Sequence, residues 1–111
     1  MHATEARIGL LPTPEGGLIA PMPSRSRSLL LIFPSLEEPE GKLTIGATIE
    51  TADGAPLEPG SEGVAVQLGF WADEAQVYAT PGARFDLYYA GRIVGRGEVT
   101  RLLDEVTDAA G

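Results

Sequence analysis

A small all-β fold, a closed or nearly closed antiparallel barrel of about six strands, is what this sequence predicts. Three observations lead there. Nine prolines and fourteen glycines among 111 residues punctuate the chain about every ten residues, the rhythm of short strands joined by turns. Several segments alternate apolar with polar residues, while none sustains a helical period. A 43% hydrophobic and 22% charged composition is ordinary for one domain with one core.

The elements follow in order. Ala6, Ile8 and Leu10 alternate with Glu5, Arg7 and Gly9, so residues 5–11 form a half-buried strand, ended by the turn TPEGG at 13–17. Residues 1–4 read as a flexible N-terminus. His2, the only histidine, is then an incidental terminal residue. Two prolines remove backbone donors from PMPSRSRS at 21–28, which makes it a loop carrying Arg25 and Arg27. SLLLIF follows as a strand buried on both faces and stopped by Pro34. SLEEPEG, 35–41, is an acidic connection.

In residues 42–50, Leu43, Ile45, Ala47 and Ile49 take one face and Lys42, Thr44, Thr48 and Glu50 the other. Turns follow at 52–54 and 57–63, then Val64, Val66, Leu68 and Phe70 build the next apolar face. Phe85, Leu87 and Tyr89 point inward from 84–89. A tight Ala90-Gly91 turn leads into 92–103, with a short helical turn after Thr100. Residues 104–111 are an acidic tail expected to fray, leaving 5–103 as the barrel. The expected core is Ile8, Leu10, Leu30, Ile32, Leu43, Ile45, Ile49, Val64, Val66, Leu68, Phe85, Leu87, Ile93 and Val99.

Sixteen carboxylates against eight basic groups give a net charge of −8. Phosphate backbones and anionic lipid repel such a chain on average. With no cysteine there is no disulfide, thiolate zinc site or cysteine nucleophile. MHATEARIGLL lacks the basic start and long apolar run of a signal peptide. The longest apolar run, residues 29–33, is far short of the roughly 20 residues a membrane helix needs. These readings predict a cytoplasmic protein with no membrane partner.

Catalysis has few candidates. Paired carboxylates such as Glu37/Glu38 and Asp73/Glu74 lie in polar loops, where solvated charge accounts for them. The sequence therefore predicts no enzyme, no cofactor and no metal. GRIVGRGEV, 91–99, spaces its glycines like a phosphate loop, but Glu98, Val99 and Thr100 follow where a helix N-terminus would be needed. Strand glycines more often mark a bulge or a barrel corner. GTP binding is not expected.

Read as a barrel corner, RFDLYYAGRIVGRGEV at 84–99 resembles the closing hairpin of the C-terminal (third) β-barrel domain of elongation factor Tu. Arg84, Phe85, Gly91, Arg92, Val94, Gly95, Gly97 and Val99 match that family's pattern. EARIGLLPTPEGG at 5–17, Pro21, Arg27, the Pro59-Gly60 corner, Val64 and Val66 resemble it in the same order along the chain. The residues at Ile19, Met22, Pro23 and Ser26 depart from that family's aromatic-rich loop, and the chain carries no GTPase domain.

The resemblance implies a non-catalytic, translation-related module that docks onto a protein partner or self-associates. The alternative it leaves open is a tRNA-binding accessory working through Arg27, Gly91 and Arg92. From the residues themselves, Arg96 or Arg92 is expected to pair with Glu98 or Asp86 across the hairpin. Alternation places Trp71 opposite Val64, Val66 and Leu68, either covering a barrel end or anchoring a partner.

Overall fold

The alternating segments of the sequence become strands whose apolar faces converge on one interior. The structure, a computed structural model, describes residues 2–27, 29–34, 42–73 and 75–103. Its strands are β1 (His2–Leu10), β2 (Arg25–Ser26), β3 (Leu30–Pro34), β4 (Lys42–Thr51), β5 (Val64–Phe70), β6 (Arg84–Tyr89) and β7 (Arg92–Leu102). The expected connection at 35–41 and the tail at 104–111 lie outside the described residues.

Every pairing is antiparallel. The order β4-β3-β6-β7-β1-β5 returns to β4, so six strands close a barrel. The two-residue β2, inside the segment expected to be all loop, lies on β4 in line with β3. Ser26 stands level with Ile49, and Leu30 with Gly46. From Ser26 to Leu30 is four residues while β4 advances three, so one residue is in excess and the side-chain phase flips.

That excess residue corrects the core. Leu29, Leu31 and Phe33 are buried, whereas Leu30 is 36% exposed and Ile32 half-buried. β3 buries one face, not two. Five apolar residues in a row carry no alternation, so register alone decides which of them face in. A similar shift places Val94 inside instead of Ile93. Leu87 pairs with Gly95 and Tyr88 with Ile93, which leaves Val94 as the extra residue. Ile8, Leu10, Ile45, Ile49, Val66, Leu68, Phe85, Leu87 and Val99 are buried as expected, with Leu43 and Val64 packed at the margin.

Both chain ends of the barrel differ from expectation. β1 starts at His2, opposite Phe70, so residues 2–4 are strand. His2 is 4% exposed, with Nε2 2.9 Å from the Ala79 carbonyl oxygen. His2 and Thr4 continue the inward phase of Ala6 and Ile8, a continuation their polarity conceals. At the other end, β7 runs through Thr100 to Leu102 without a helical turn. A second register shift, between Glu5 and Ala6, absorbs the extra residue there. The helical turn falls instead at α1, Ala75–Tyr78, anchored by buried Ala75.

The glycines of β7 hold strands close together. Gly97 lies between Phe85 on β6 and Ile8 on β1. A Cβ there would stand 2.5 Å from Phe85 Cζ and 2.7 Å from Ile8 Cγ2. At Gly95 it would strike the carbonyl oxygen of Gly9. The two core side chains meet over Gly97 because nothing stands between them. The hairpin itself turns on Ala90 (φ 52°) and Gly91 (φ 85°), two adjacent positive angles as a two-residue turn of this hand requires.

Candidate functional site

The strand registers assemble an apolar row on the outside of the barrel. Gly46 is level with Leu30, Leu30 with Tyr88, and Tyr88 with Ile93. Since Leu29 and Leu31 face inward, this row faces out. On the other side of Gly46, the pairing of Ala47 with Phe70 brings Trp71 level with the glycine. Its ring lies on Gly46, where an added Cβ would be 2.7 Å from Trp71 Cζ3. A strand glycine has no side chain of its own to pack, and an aromatic from the adjacent strand covers it. Trp71 faces outward, as alternation predicts, and remains 47% exposed.

Trp71, Gly46, Leu30, Tyr88 and Ile93 cross five adjacent strands, a span of about 20 Å at the usual strand spacing. Past Ile93 the wall opens into a groove of about 420 Å³. Leu11, Pro12 and Gly60 line it with Ile93, and Glu15, Glu62 and Arg96 bring charge to it.

Arg27 stacks on Trp71, its Cζ 5.0 Å from the ring centroid, an arrangement worth about 0.5–1 kcal/mol at an exposed site. Arg7, Arg84, Arg96 and Arg101 are engaged elsewhere, while Arg25 on β2 is exposed with neither a carboxylate nor a ring among the described residues. Arg101 makes a bidentate pair with Glu5 at 2.6 and 3.0 Å, and its hydrogen bonds hold the Glu5 carboxyl below the usual carboxylate range. Arg96 meets Asp86 at 3.5 Å, as expected across the hairpin, and Arg84 meets Glu98 at 3.9 Å. Arg7 donates to the Gly63 carbonyl at 3.0 Å. Among the described residues, Arg27 has the ring and no carboxylate.

Arg92 does not make the cross-hairpin ion pair the sequence offered it. It pairs with neither Glu98 nor Asp86. Its Nε donates to the Gly16 carbonyl at 2.7 Å and its Nη2 to that of Gly17 at 3.0 Å. The planar fork fits two successive carbonyls and clamps the loop after the 3-10 turn Thr13–Glu15. Ile19, two residues further along that loop, is 84% exposed. Gly91 serves the turn: a Cβ there would meet nothing within 4 Å.

Of the sequence-predicted residues, Arg27 and Trp71 meet, while Gly91 and Arg92 lie together at the β6–β7 turn, with Arg92 on the loop at 16–17. Sequence reasoning missed Gly46, Leu30, Tyr88 and Ile93. The available signals were a glycine at an outward position of the 42–50 alternation and an apolar run too long for a one-faced strand. Glu37, Glu38 and Glu74 lie outside the described residues. Among the described residues, no three His, Asp or Glu side chains gather to hold a metal ion.

No family model matches the sequence, and no curated protein matches it.

Proposed function

We propose that this barrel is a non-catalytic binding module that docks a protein partner on the outer row running from Trp71 to Ile93. One observation carries the reading. The side chains of Trp71 and Leu30 stay substantially exposed beside Tyr88 and Ile93 on a barrel whose interior is already filled. Contiguous exposed apolar surface is where soluble proteins meet partners. Tryptophan in particular is enriched at binding hot spots. The resemblance to the C-terminal barrel of elongation factor Tu supports the same role and suggests a setting in translation, in the cytoplasm.

The Trp71–Arg27 stack also favours a second reading, tRNA binding, because nucleic-acid bases stack on such platforms. Against it stand the net charge of −8 and the engagement of Arg92 with loop carbonyls. The test is capture from native cell extract on the immobilised chain, with Trp71→Ala and Leu30→Ser as controls. Docking predicts a protein retained at least about tenfold better by the wild type, the loss typical of a hot-spot truncation, and unaffected by ribonuclease. Retention of tRNA that falls steeply with salt would replace the protein reading with the RNA one. Equal retention by the wild type and both variants would refute docking through this row.

A further inference from the structure

We infer that the docked partner presents an Asp or Glu side chain to Arg27, at the Trp71 end of an otherwise apolar segment. This rests on the docking reading above and adds the partner's chemistry. Arg27 lies against the Trp71 ring at 5.0 Å. The ring accepts no conventional hydrogen bond, so the guanidinium's N–H fork, the group that matches a carboxylate, has no acceptor among the described residues. The stack also reduces the side-chain freedom a partner would otherwise have to freeze.

The distribution of charge makes the same point. Arg84, Arg96 and Arg101 each have a carboxylate on the wall, and Arg7 and Arg92 each have a carbonyl. The chain holds twice as many acidic as basic groups. Even so, among the described residues none of those carboxylates meets Arg27. Among the described residues Arg25 and Arg27 both lack a carboxylate, and Arg27 is the one held on an aromatic ring, the largest exposed aromatic of the wall.

A carboxylate arriving there would sit beside the indole, where lower local dielectric strengthens the pair. The same acid-rich surface limits how many acids the partner can bring. In the groove beyond Ile93, Glu15 and Glu62 outnumber Arg96, which already meets Asp86, so the far end of the row disfavours carboxylates. The fitting ligand is therefore one acid followed by apolar side chains over about 20 Å, which is about six extended residues. A phosphate chain fits poorly, because beyond Arg27 the row offers no second cation: Leu30 and Ile93 have no donor and Tyr88 a single neutral hydroxyl.

The experiment selects peptides from a displayed random library on the immobilised chain. The expected winners carry apolar residues and one Asp or Glu. Amidating that acid, to Asn or Gln, should weaken the synthetic peptide about tenfold, the range of a charge-assisted hydrogen bond. Arg27→Gln should weaken the acidic peptide by the same factor and the amidated peptide no further, which a double-mutant cycle reads as coupling. Chemical denaturation should show Arg27→Gln folding cooperatively, its midpoint lowered only by the loss of the contact with Trp71. Acidic peptides that bind Arg27→Gln undiminished would overturn the carboxylate assignment while docking stands. Peptides that bind Trp71→Ala as well as the wild type, or no enrichment at all, would overturn docking and the assignment together. Displacement of the peptides by tRNA in a steeply salt-dependent way would overturn both in favour of nucleic acid.

Discussion

Gly97 and Gly46 stand under large side chains from neighbouring strands, at nearly the same hypothetical approach. A Cβ would come within 2.5 Å of Phe85 at the first and 2.7 Å of Trp71 at the second. Inside, Phe85 and Ile8 fill the space over Gly97, and both are buried. Outside, Trp71 covers Gly46 yet stays 47% exposed, with Arg27 on its ring. Omitting a Cβ serves the fold in the first case. In the second it seats an aromatic on a wall that closes without it.

The comparison breaks most readily at the interior glycines. Gly97→Val should destabilise the barrel by roughly 1–3 kcal/mol, the range for overpacking. Gly95→Val should do the same, because the carbonyl oxygen it would strike belongs to the paired backbone of Gly9. Chemical denaturation measures both, and unchanged midpoints would show that the seam yields freely.

Arg92→Ala tests the outer wall where it does carry structure. Losing two hydrogen bonds to Gly16 and Gly17 should cost about 1 kcal/mol. It should also raise hydrogen exchange in loop 16–19. Nothing in the sequence points to this cost. What it could not reveal is a partner 75 and 76 residues away along the chain.

Gly46→Ala sharpens the contrast further. The clash resembles that at Gly97, but the obstacle is the edge of a half-exposed ring that can swing into solvent. The midpoint should fall by less than about 0.5 kcal/mol, the range of ordinary surface substitutions, while Trp71 emission shifts to the red. A loss as large as that of Gly97→Val would make Trp71 part of the fold.

The smallest effect belongs to Glu5. Its carboxyl is held below its ordinary value by the Arg101 hydrogen bonds, so the folded state binds that proton less readily than the unfolded chain. The contribution is present above the unfolded value of about 4.3 and is lost as pH falls through the folded one. The wild type should thus exceed Glu5→Gln in stability at pH 7, with the gap closing as pH falls below the unfolded value and through the lower folded one. A gap that stays constant with pH would assign the effect to packing.

Much of the fold was legible where alternation was clean. Ile45 and Ile49 on β4, and Val66 and Leu68 on β5, are buried as the period of two requires. Legibility failed where one extra residue decides the phase. The excess between Ser26 and Leu30 and the skipped Val94 each moved an apolar residue from core to wall. The candidate site was legible only at Trp71 and Arg27. The rest of it is a row made by register across five strands, and a register belongs to pairs of segments, not to either one alone.

The central claim is that Trp71 stands on the wall for a partner. It is the sole tryptophan, so its fluorescence reports on that face alone. The decisive measurement is Trp71 emission and acrylamide quenching as an apolar, singly acidic peptide saturates the chain. Docking on the row predicts a blue shift and a severalfold fall in the quenching constant, both absent with Leu30→Ser. Saturable binding that leaves emission and quenching unchanged would place the partner elsewhere on the barrel and contradict the account.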